Sequence, residues 1–305
     1  MNGFTAADVP DQHGRTFVVT GSNTGIGFGA ATTLAGKGAR VVLACRSEAR
    51  AREAMAQIGQ AVPDAKLAFV PLDQADIASV RRAADMLGDE PRIDGLINNA
   101  GVMFPPLERT VQGYEPQFGI NHLGTFALTG LLLPKLAETP GSRVVVTASL
   151  AHRRGNLDFD DLKAERSYNR GQRYSASKLA NMLFFFELDR RLRAAGSPVM
   201  AVGCHPGVAM TELMRHLPGP LRLLTPLARP FFNAPEAGAW PALQAATDPA
   251  ALPGGFYGPT RFKEMRGPSG PAWRTQRSQR TDLSERLWEV SIAATGVDPG
   301  LAPAS

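Results

Sequence analysis

Short apolar runs alternate with longer stretches of helical periodicity through the first two thirds of the chain. The runs are continuous rather than apolar–polar alternations, which is typical of strands buried on both faces of a parallel sheet. They predict strands at 16–20, 40–44, 67–70, 95–98, 144–148 and 199–204. Helical patterns lie between them at 27–36, 47–58, 76–87, 115–133 and 174–195. This alternation predicts right-handed crossovers and a doubly wound parallel sheet of the α/β class.

The pattern changes after the sixth predicted strand. Prolines interrupt short apolar pieces from Pro218 to Pro241, which predicts broken helices that form a small helical substrate lid at about 208–255. Its apolar piece LRLLTPLARPFF, at 221–232, favours a cover for an apolar substrate over a membrane-surface patch, because proline breaks the amphipathic helix that such a patch needs. A short strand at 255–258 and a helix at about 282–294 follow. We therefore predict one domain over residues 1–305.

Composition limits the class of protein further. The 305 residues are 44% hydrophobic, which argues against a disordered chain, and the 2 Cys lie in apolar runs as expected for free thiols in a reducing compartment. We find no secretory signal and no apolar stretch long enough to cross a membrane, so a cytoplasmic protein is expected. The net charge is +5, and the sequence has no basic stripe with interleaved aromatics. This combination favours an anionic ligand over nucleic acid. The histidines lack ligand spacing, so no metal site is predicted.

The first predicted strand leads directly into the loop TGSNTGIG, residues 20–27. Gly21, Gly25 and Gly27 allow a tight turn and a close approach of backbone N–H groups to a pyrophosphate at the N-terminus of the next helix. Their spacing is G-x3-G-x-G rather than G-x-G-x-x-G. The loop predicts a dinucleotide site, with a purely structural turn as the alternative.

The end of the second predicted strand bears on the choice of dinucleotide. An acidic residue there would accept the ribose 2′-hydroxyl of NAD. This chain has Arg46 instead, with no carboxylate until Glu48. A guanidinium can bind a 2′-phosphate bidentately, so we predict that NADP(H) is preferred over NAD(H). In the alternative interpretation Arg46 only opens a solvated helix. Arg50, one turn further on, either helps to bind the 2′-phosphate or faces water.

The segment YSASK places Tyr174 and Lys178 four residues apart, on one face of a helix. A phenol is a poor acid or base at neutral pH until a cation stabilises its phenolate, and an ammonium at about 5 Å contributes roughly 3 kcal/mol. Ser149 ends the strand VVVTAS at the sheet edge where ligands bind in this architecture, and its hydroxyl could stabilise charge on a substrate oxygen. A chance Tyr–Lys pair and a serine that only caps a turn are the alternatives.

These segments, in this order, resemble the short-chain dehydrogenase/reductase family, and within it the branch of the retinol dehydrogenases and the WW-domain oxidoreductase. The matching segments are TGSNTGIG at 20–27, VVLACR at 41–46, Asp73, NNAG at 98–101, NHLGTFALT at 121–129, VVVTASLAH at 144–152, YSASK at 174–178 and HPGVAMT at 205–211. The resemblance implies a Rossmann fold and an NADP(H)-dependent oxidoreductase that interconverts an alcohol and an aldehyde or ketone. Its branch and the apolar lid favour a lipophilic carbonyl substrate.

The resemblance also implies roles for individual residues. Its catalytic set is Asn121, Ser149, Tyr174 and Lys178, with Tyr174 exchanging the proton and Asn121 holding a helix and a relay water. The implied cofactor-binding residues are Gly21, Asn23, Thr24, Gly25, Ile26, Gly27, Arg46, Asp73, Asn99, Ala100, Gly101, Tyr174, Lys178, Pro206, Gly207, Val208 and Thr211. The helices at 115–133 and 174–195 correspond to the family's dimer surface, which suggests a homodimer or homotetramer unless both pack on the sheet.

The chain also departs from the family pattern. Ala148 stands where the family's paired serine begins, so the serine role rests on Ser149 alone. Thr24 stands where some NADP-preferring members have a second basic residue, and the long step from Ser149 to Tyr174 predicts an inserted surface segment at 152–173. The N-terminal membrane anchor of the vertebrate members is not found. A cofactor-binding regulatory protein without turnover and, less favoured, a sugar-nucleotide epimerase are the alternative functions.

Overall fold

A computed structural model describes residues 3–208 and 233–304 of the chain. Within these ranges eight strands form one sheet in the order β3-β2-β1-β4-β5-β6-β7-β8. The strands are β1 Thr16–Thr20, β2 Arg40–Cys45, β3 Lys66–Pro71, β4 Gly95–Asn98, β5 Arg143–Thr147, β6 Met200–Cys204, β7 Phe256–Arg261 and β8 Arg266–Pro271. All neighbouring pairs are parallel except β7–β8. The strand order reverses between β1 and β4, which creates a crevice at the carboxyl ends of these strands. Ligands bind in this crevice in such sheets.

Helices cover both faces of the sheet, which confirms the predicted doubly wound α/β class. They are α1 Gly25–Gly36, α2 Glu48–Ala61, α3 Ile77–Gly88, α4 Pro116–Phe118, α5 Thr125–Ala137, α6 Arg170–Ala194, α7 Pro235–Gly238, α8 Trp240–Thr247 and α9 Thr281–Thr295. The apolar core on one face includes residues of α1, α2 and α8. The core on the other face includes residues of α3, α5, α6 and α9.

The six strands predicted from apolar runs occur there with ends shifted by at most one residue, and β7 extends three residues past its predicted end. Helix α6 begins at Arg170, four residues before the predicted start, because the Asn169 side chain accepts a hydrogen bond from the N–H of Gln172 at 3.0 Å and caps the helix. Tyr174 therefore lies one turn inside α6 rather than at its start.

The predicted helix at 115–133 is not a regular α-helix. A π-helical segment, Gly119–Gly124, joins the short α4 to α5. Gly124 lets this segment approach the loop after β3, since a Cβ at Gly124 would lie 2.7 Å from the carbonyl oxygen of Gln74. The π-helical segment contains Asn121, and π-helical turns are frequent at functional sites.

The C-terminal part differs from the sequence prediction in two ways. Pro235 and Pro241 do not break helices but stand in the first turns of α7 and α8, where proline is tolerated, and α8 buries Leu243 in the core. Strand β8 was not predicted, because its sequence RGPSGP lacks a strand signal. The predicted apolar lid piece at 221–232 lies outside the described residues.

Candidate active site

The glycine loop after β1 forms a cradle at the carboxyl edge of the sheet. Gly21 and Gly25 have φ angles of 65° and 62°, a conformation that favours glycine. A Cβ at Gly27 would lie 2.6 Å from the carbonyl oxygen of Gly21, so only glycine allows this close turn. No side-chain hydrogen bond from Thr24 caps the start of α1. The cradle and the N-terminus of α1 therefore fit the diphosphate of a dinucleotide.

A groove of about 390 Å³ continues from this cradle along the ends of β2, β3 and β4. It brings together ten of the predicted cofactor residues: Gly21, Asn23, Thr24, Gly25, Ile26, Arg46, Asp73, Asn99, Ala100 and Gly101. The Asn99 side chain donates to the carbonyl oxygen of Thr20 at 2.9 Å and so joins the β4 loop to the glycine loop. Leu72, Gln74, Val102 and Ile120 also line the groove, although sequence analysis did not single them out. The only sequence signal for these groove residues is their position, since Leu72, Gln74 and Val102 follow predicted strands and Ile120 lies next to Asn121.

Tyr174 and Lys178 lie side by side on α6, and both are buried. The Lys178 Nζ atom is 5.9 Å from the centre of the Tyr174 ring and donates to the carbonyl oxygen of Thr147 at 3.2 Å. A small cavity next to them is lined by Ile26, Asn99, Gly101, Val102, Met103, Thr147, Ala148, Tyr174, Lys178 and Pro206. It shares Ile26, Asn99, Gly101 and Val102 with the groove. The groove therefore leads directly to the Tyr–Lys pair.

Asn121 joins the loop after β4 to helix α6. Its Oδ1 atom accepts from the N–H of Val102 at 2.7 Å, and its Nδ2 atom donates to the Val102 carbonyl oxygen and to Ser177 Oγ, both at 3.0 Å. Asn121 is fully buried. A Cβ at Gly101 would lie 3.1 Å from Asn121 Oδ1 and 3.6 Å from Lys178 Nζ, so these groups converge on one point.

Ser149 follows β5 and is half-buried. Its Oγ atom accepts from the N–H of Ala151 at 3.2 Å and caps a 3₁₀ turn, Leu150–Arg154. The cap uses the oxygen only as an acceptor, which leaves the hydroxyl proton for another partner. Its neighbour Ala148 lines the cavity of Tyr174 and Lys178.

The segment Pro206–Val208 follows β6, and Pro206 lines the same cavity. Gly207 has a φ angle of 75°, and its N–H donates to His205 Nδ1 at 3.2 Å. Asn233 holds the segment from the other side through a bond to the Pro206 carbonyl oxygen at 3.1 Å. The predicted cofactor residue Thr211 lies outside the described residues.

Phe104 is a site residue that the sequence did not reveal. Its ring meets the Tyr174 ring edge-on, with centroids 5.5 Å apart, and its φ angle is 56°. This backbone is rare for a bulky residue. The N–H of Phe104 donates to Gln117 Oε1 at 3.0 Å, and Gln117 is fully buried. The hydrogen bond to Gln117 thereby holds Phe104 against Tyr174, and no local sequence pattern indicates this bond.

Other titratable groups are buried for packing. Burial lowers the pKa of His122 to about 3 and of His152 to about 4, and it raises the pKa of the Cys204 thiol to about 12. Among residues 3–208 and 233–304 no group of His, Cys, Asp and Glu is arranged to hold a metal ion. In the same ranges no helix is long and apolar enough to span a membrane.

A glycine cradle at the switch point of a parallel sheet, open to a buried Tyr–Lys pair, defines the class of dinucleotide-dependent oxidoreductases. The short chain dehydrogenase family model matches residues 15–219. The chain belongs to this family, which implies a nicotinamide dinucleotide as its cofactor and oxidoreduction as its activity.

Several curated relatives are retinol dehydrogenases. The chain is 38% identical to retinol dehydrogenase 14 of Mus musculus, over 94% of this chain and 87% of that protein. It is 40% identical to retinol dehydrogenase 12 of Homo sapiens, over 93% and 87%. Among solved structures, an uncharacterized protein from Mycobacterium Paratuberculosis is 38% identical and superposes with a TM-score of 0.83, covering 98% of this chain and 100% of that one.

Proposed function

We propose that the chain is an NADP(H)-preferring oxidoreductase that interconverts a lipophilic alcohol and its aldehyde or ketone, with Tyr174 as the acid/base. The observation that carries the proposal is the cavity in which buried Tyr174 and Lys178 meet the end of the dinucleotide groove. A binding protein without turnover could use Lys178 to hold the nicotinamide ribose, but it would not need the Tyr174 hydroxyl beside it.

The chain's own residues would divide the work as follows. The Lys178 ammonium stabilises the Tyr174 phenolate, so that Tyr174 gives a proton to a carbonyl oxygen or takes one from an alcohol. The Ser149 hydroxyl donates to the same oxygen, and Asn121 fixes the β4 loop against α6. The bound nicotinamide supplies or accepts the hydride.

The dinucleotide would extend along the groove. The cradle of Gly21, Gly25 and Gly27 holds the diphosphate, while Asp73 and Asn99–Gly101 contact the adenosine side. Lys178 binds the nicotinamide ribose, and Pro206–Val208 flank the nicotinamide. The exposed Arg46 lines the groove and would pair with a 2′-phosphate, which supports the preference for NADP(H).

The preference for a lipophilic substrate is supported by Val102, Met103 and Ala148, apolar residues of the cavity wall that are not assigned to the cofactor. The ring of Phe104 adds an apolar surface beside Tyr174. The names of the retinol dehydrogenase relatives agree with this class of substrate. A cytoplasmic location and one domain over 1–305 remain our predictions.

Replacing Tyr174 with Phe tests the proposal. Purified wild type should reduce members of a panel of aldehydes and ketones with NADPH, and Tyr174→Phe should lower kcat by about 10²- to 10⁴-fold, because the proton donor is lost. Its affinity for NADPH, measured by fluorescence, should stay within a few-fold of wild type. Tyr114→Phe, at a half-buried tyrosine away from the cavity, is the matched control and should keep the wild-type kcat.

Two results would contradict the proposal. Tyr174→Phe could keep the wild-type rate, in which case another group exchanges the proton. Wild type could bind NADPH yet reduce nothing in the panel, which would favour the cofactor-binding regulatory protein.

A further inference from the structure

The turn between β7 and β8 has an unusual backbone. Phe262, Lys263 and Glu264 are consecutive and have φ angles of 51°, 55° and 67°. Left-handed conformations are unfavourable for residues with a side chain, and they persist only where surrounding contacts fix them. Because β7 runs parallel to β6, this turn lies at the same edge of the sheet as the candidate active site.

The Glu264 carboxylate binds three groups from three parts of the chain. Its Oε2 atom accepts from Arg153 Nη2 at 2.5 Å and from His205 Nε2 at 3.1 Å, and its Oε1 atom accepts from the N–H of Trp273 at 2.9 Å. Burial alone would raise the pKa of Glu264, but the bonds from His205 and Trp273 and the Arg153 charge lower it. Glu264 is thus held as a carboxylate.

Arg153 links Glu264 to the turn of the proposed catalytic serine. It belongs to the 3₁₀ turn Leu150–Arg154, which Ser149 Oγ caps. In the same turn, His152 Nδ1 lies 2.7 Å from the Ser149 carbonyl oxygen and must donate to it, because a carbonyl oxygen only accepts. The Arg153 side chain therefore joins Glu264 to the turn that Ser149 caps.

His205 links Glu264 to the proposed nicotinamide segment. Its Nδ1 atom accepts from the N–H of Gly207, so the proton of the neutral ring is on Nε2, which donates to Glu264. The ring is fully buried against Gly258, where a Cβ would lie 2.1 Å from Nε2. The turn also binds the segment directly, since the N–H of Val208 donates to the Met265 carbonyl oxygen at 3.0 Å.

We propose that Glu264 is a positioning residue that holds the Ser149 turn and the Pro206–Val208 segment in register with each other, through Arg153 and His205. This inference rests on the proposed function of those two segments. Without the carboxylate, Arg153 loses its charged acceptor. His205 can then place its proton on Nδ1, which removes the acceptor for the Gly207 N–H.

Glu264→Gln is the primary variant, because it keeps the size of the side chain and removes the charge that binds Arg153. Misplacement of a catalytic group by a fraction of an ångström is costly, so kcat for decanal reduction should fall by about 10- to 100-fold. Affinity for NADPH should fall at least several-fold. Affinity for adenosine 2′,5′-bisphosphate, which occupies only the Arg46 and glycine-loop end, should stay at the wild-type value.

Glu90→Gln is the matched control. Glu90 is also a partly buried carboxylate paired with an arginine, Arg40, but Arg40 starts β2 at the opposite edge of the sheet. A general loss of stability would weaken both adenosine bisphosphate and NADPH in either variant. The proposal requires a loss for NADPH alone, and only in Glu264→Gln.

A second comparison asks whether Glu264 acts through the serine. In a Ser149→Ala background, Glu264→Gln should lower kcat by a smaller factor than in the presence of Ser149, because a hydroxyl that is absent cannot be misplaced and only the effect on the Pro206–Val208 segment remains. Should Glu264→Gln not fold, Arg153→Met should reproduce the loss in kcat, and Arg153→Lys should restore part of it.

The outcomes separate the two proposals. Wild-type kcat and NADPH affinity in Glu264→Gln, or equal weakening of NADPH and adenosine 2′,5′-bisphosphate, would overturn the positioning role. An equal effect of Glu264→Gln with and without Ser149 would do so as well. Undiminished turnover in Ser149→Ala or Tyr174→Phe would instead overturn the proposed function, whatever Glu264→Gln shows.

Discussion

At the end of β2 the exposed guanidinium of Arg46 lines the dinucleotide groove, beside the buried residues Ala44 and Cys45. A hydrogen bond to a charged group is worth about 1.5–3 kcal/mol, and an aspartate in its place would also repel a 2′-phosphate. We therefore expect Arg46→Asp to weaken NADPH binding by about 10- to 100-fold or more. NADH binding should weaken far less. Titration of each dinucleotide by fluorescence measures both changes.

Arg50 provides the control for this prediction. Arg50 is also exposed, one turn further along the chain on α2. The described residues that line the groove do not include it. Arg50→Asp makes the same change in net charge, so a nonspecific effect of charge would appear in both variants. Equal losses for NADPH and NADH in Arg46→Asp would contradict a phosphate site at Arg46.

At the scale of secondary structure elements, the sequence was informative wherever a local pattern decides the structure. The continuous apolar strands, the glycine loop and the i, i+4 spacing of Tyr174 and Lys178 are such patterns, and each stands in the structure where it was expected. Strand β8 is different, because its Gly- and Pro-rich sequence becomes a strand only through pairing with β7. The contacts of Glu264 and Phe104 likewise depend on residues far away in the chain, which no local pattern encodes.

The π-helical segment before α5 contains a histidine that should make the fold sensitive to acid. His122 is fully buried between Phe118 and Phe184, and its Nε2 atom lies 2.7 Å from Ser291 Oγ. Burial lowers the pKa of His122 from 6.5 to about 3. Below pH 6.5 the unfolded chain binds a proton at His122, whereas the folded chain binds it only near pH 3. The free energy of unfolding therefore decreases as the pH falls.

This linkage can be measured with His122→Gln, whose amide can still donate to Ser291 but does not titrate. Between pH 7.5 and pH 5.0 the wild type should lose about 2 kcal/mol of unfolding free energy that the variant keeps. Urea denaturation at the two pH values gives the difference. Ser291→Ala removes the bond but keeps the histidine, so it should cost about 1 kcal/mol at both pH values. Identical pH dependence in wild type and His122→Gln would show that folding does not lower the pKa of His122.

At the scale of the whole molecule, helix α9 changes the interpretation of the family's dimer surface. Residues 177–185 of α6 and 121–130 of the π-helical segment and α5 are all buried within a single chain. Trp288 of α9 contacts the rings of Phe126 and Phe184, and Arg191 of α6 donates to the carbonyl oxygen of Leu301. The chain thus covers with its own C-terminal segment the helices expected to form a homodimer or homotetramer. This agrees with the alternative in which both helices pack inside one chain, and a homodimer or homotetramer stays a prediction.

Trp288 should carry much of the energy that fixes α9 to this face. Trp288 is 2% exposed, and its ring centroid lies 5.2 Å from that of Phe126. The Arg191 guanidinium lies over the Trp288 ring, 4.5 Å from its centroid. Removing a buried tryptophan costs about 3–5 kcal/mol, so Trp288→Ala should lower the free energy of unfolding by that amount. Trp273→Ala, at a tryptophan that is 56% exposed and stacked on Arg153, should cost about 1 kcal/mol or less. Equal costs in urea denaturation would mean that Trp288 does not fix α9 to this face.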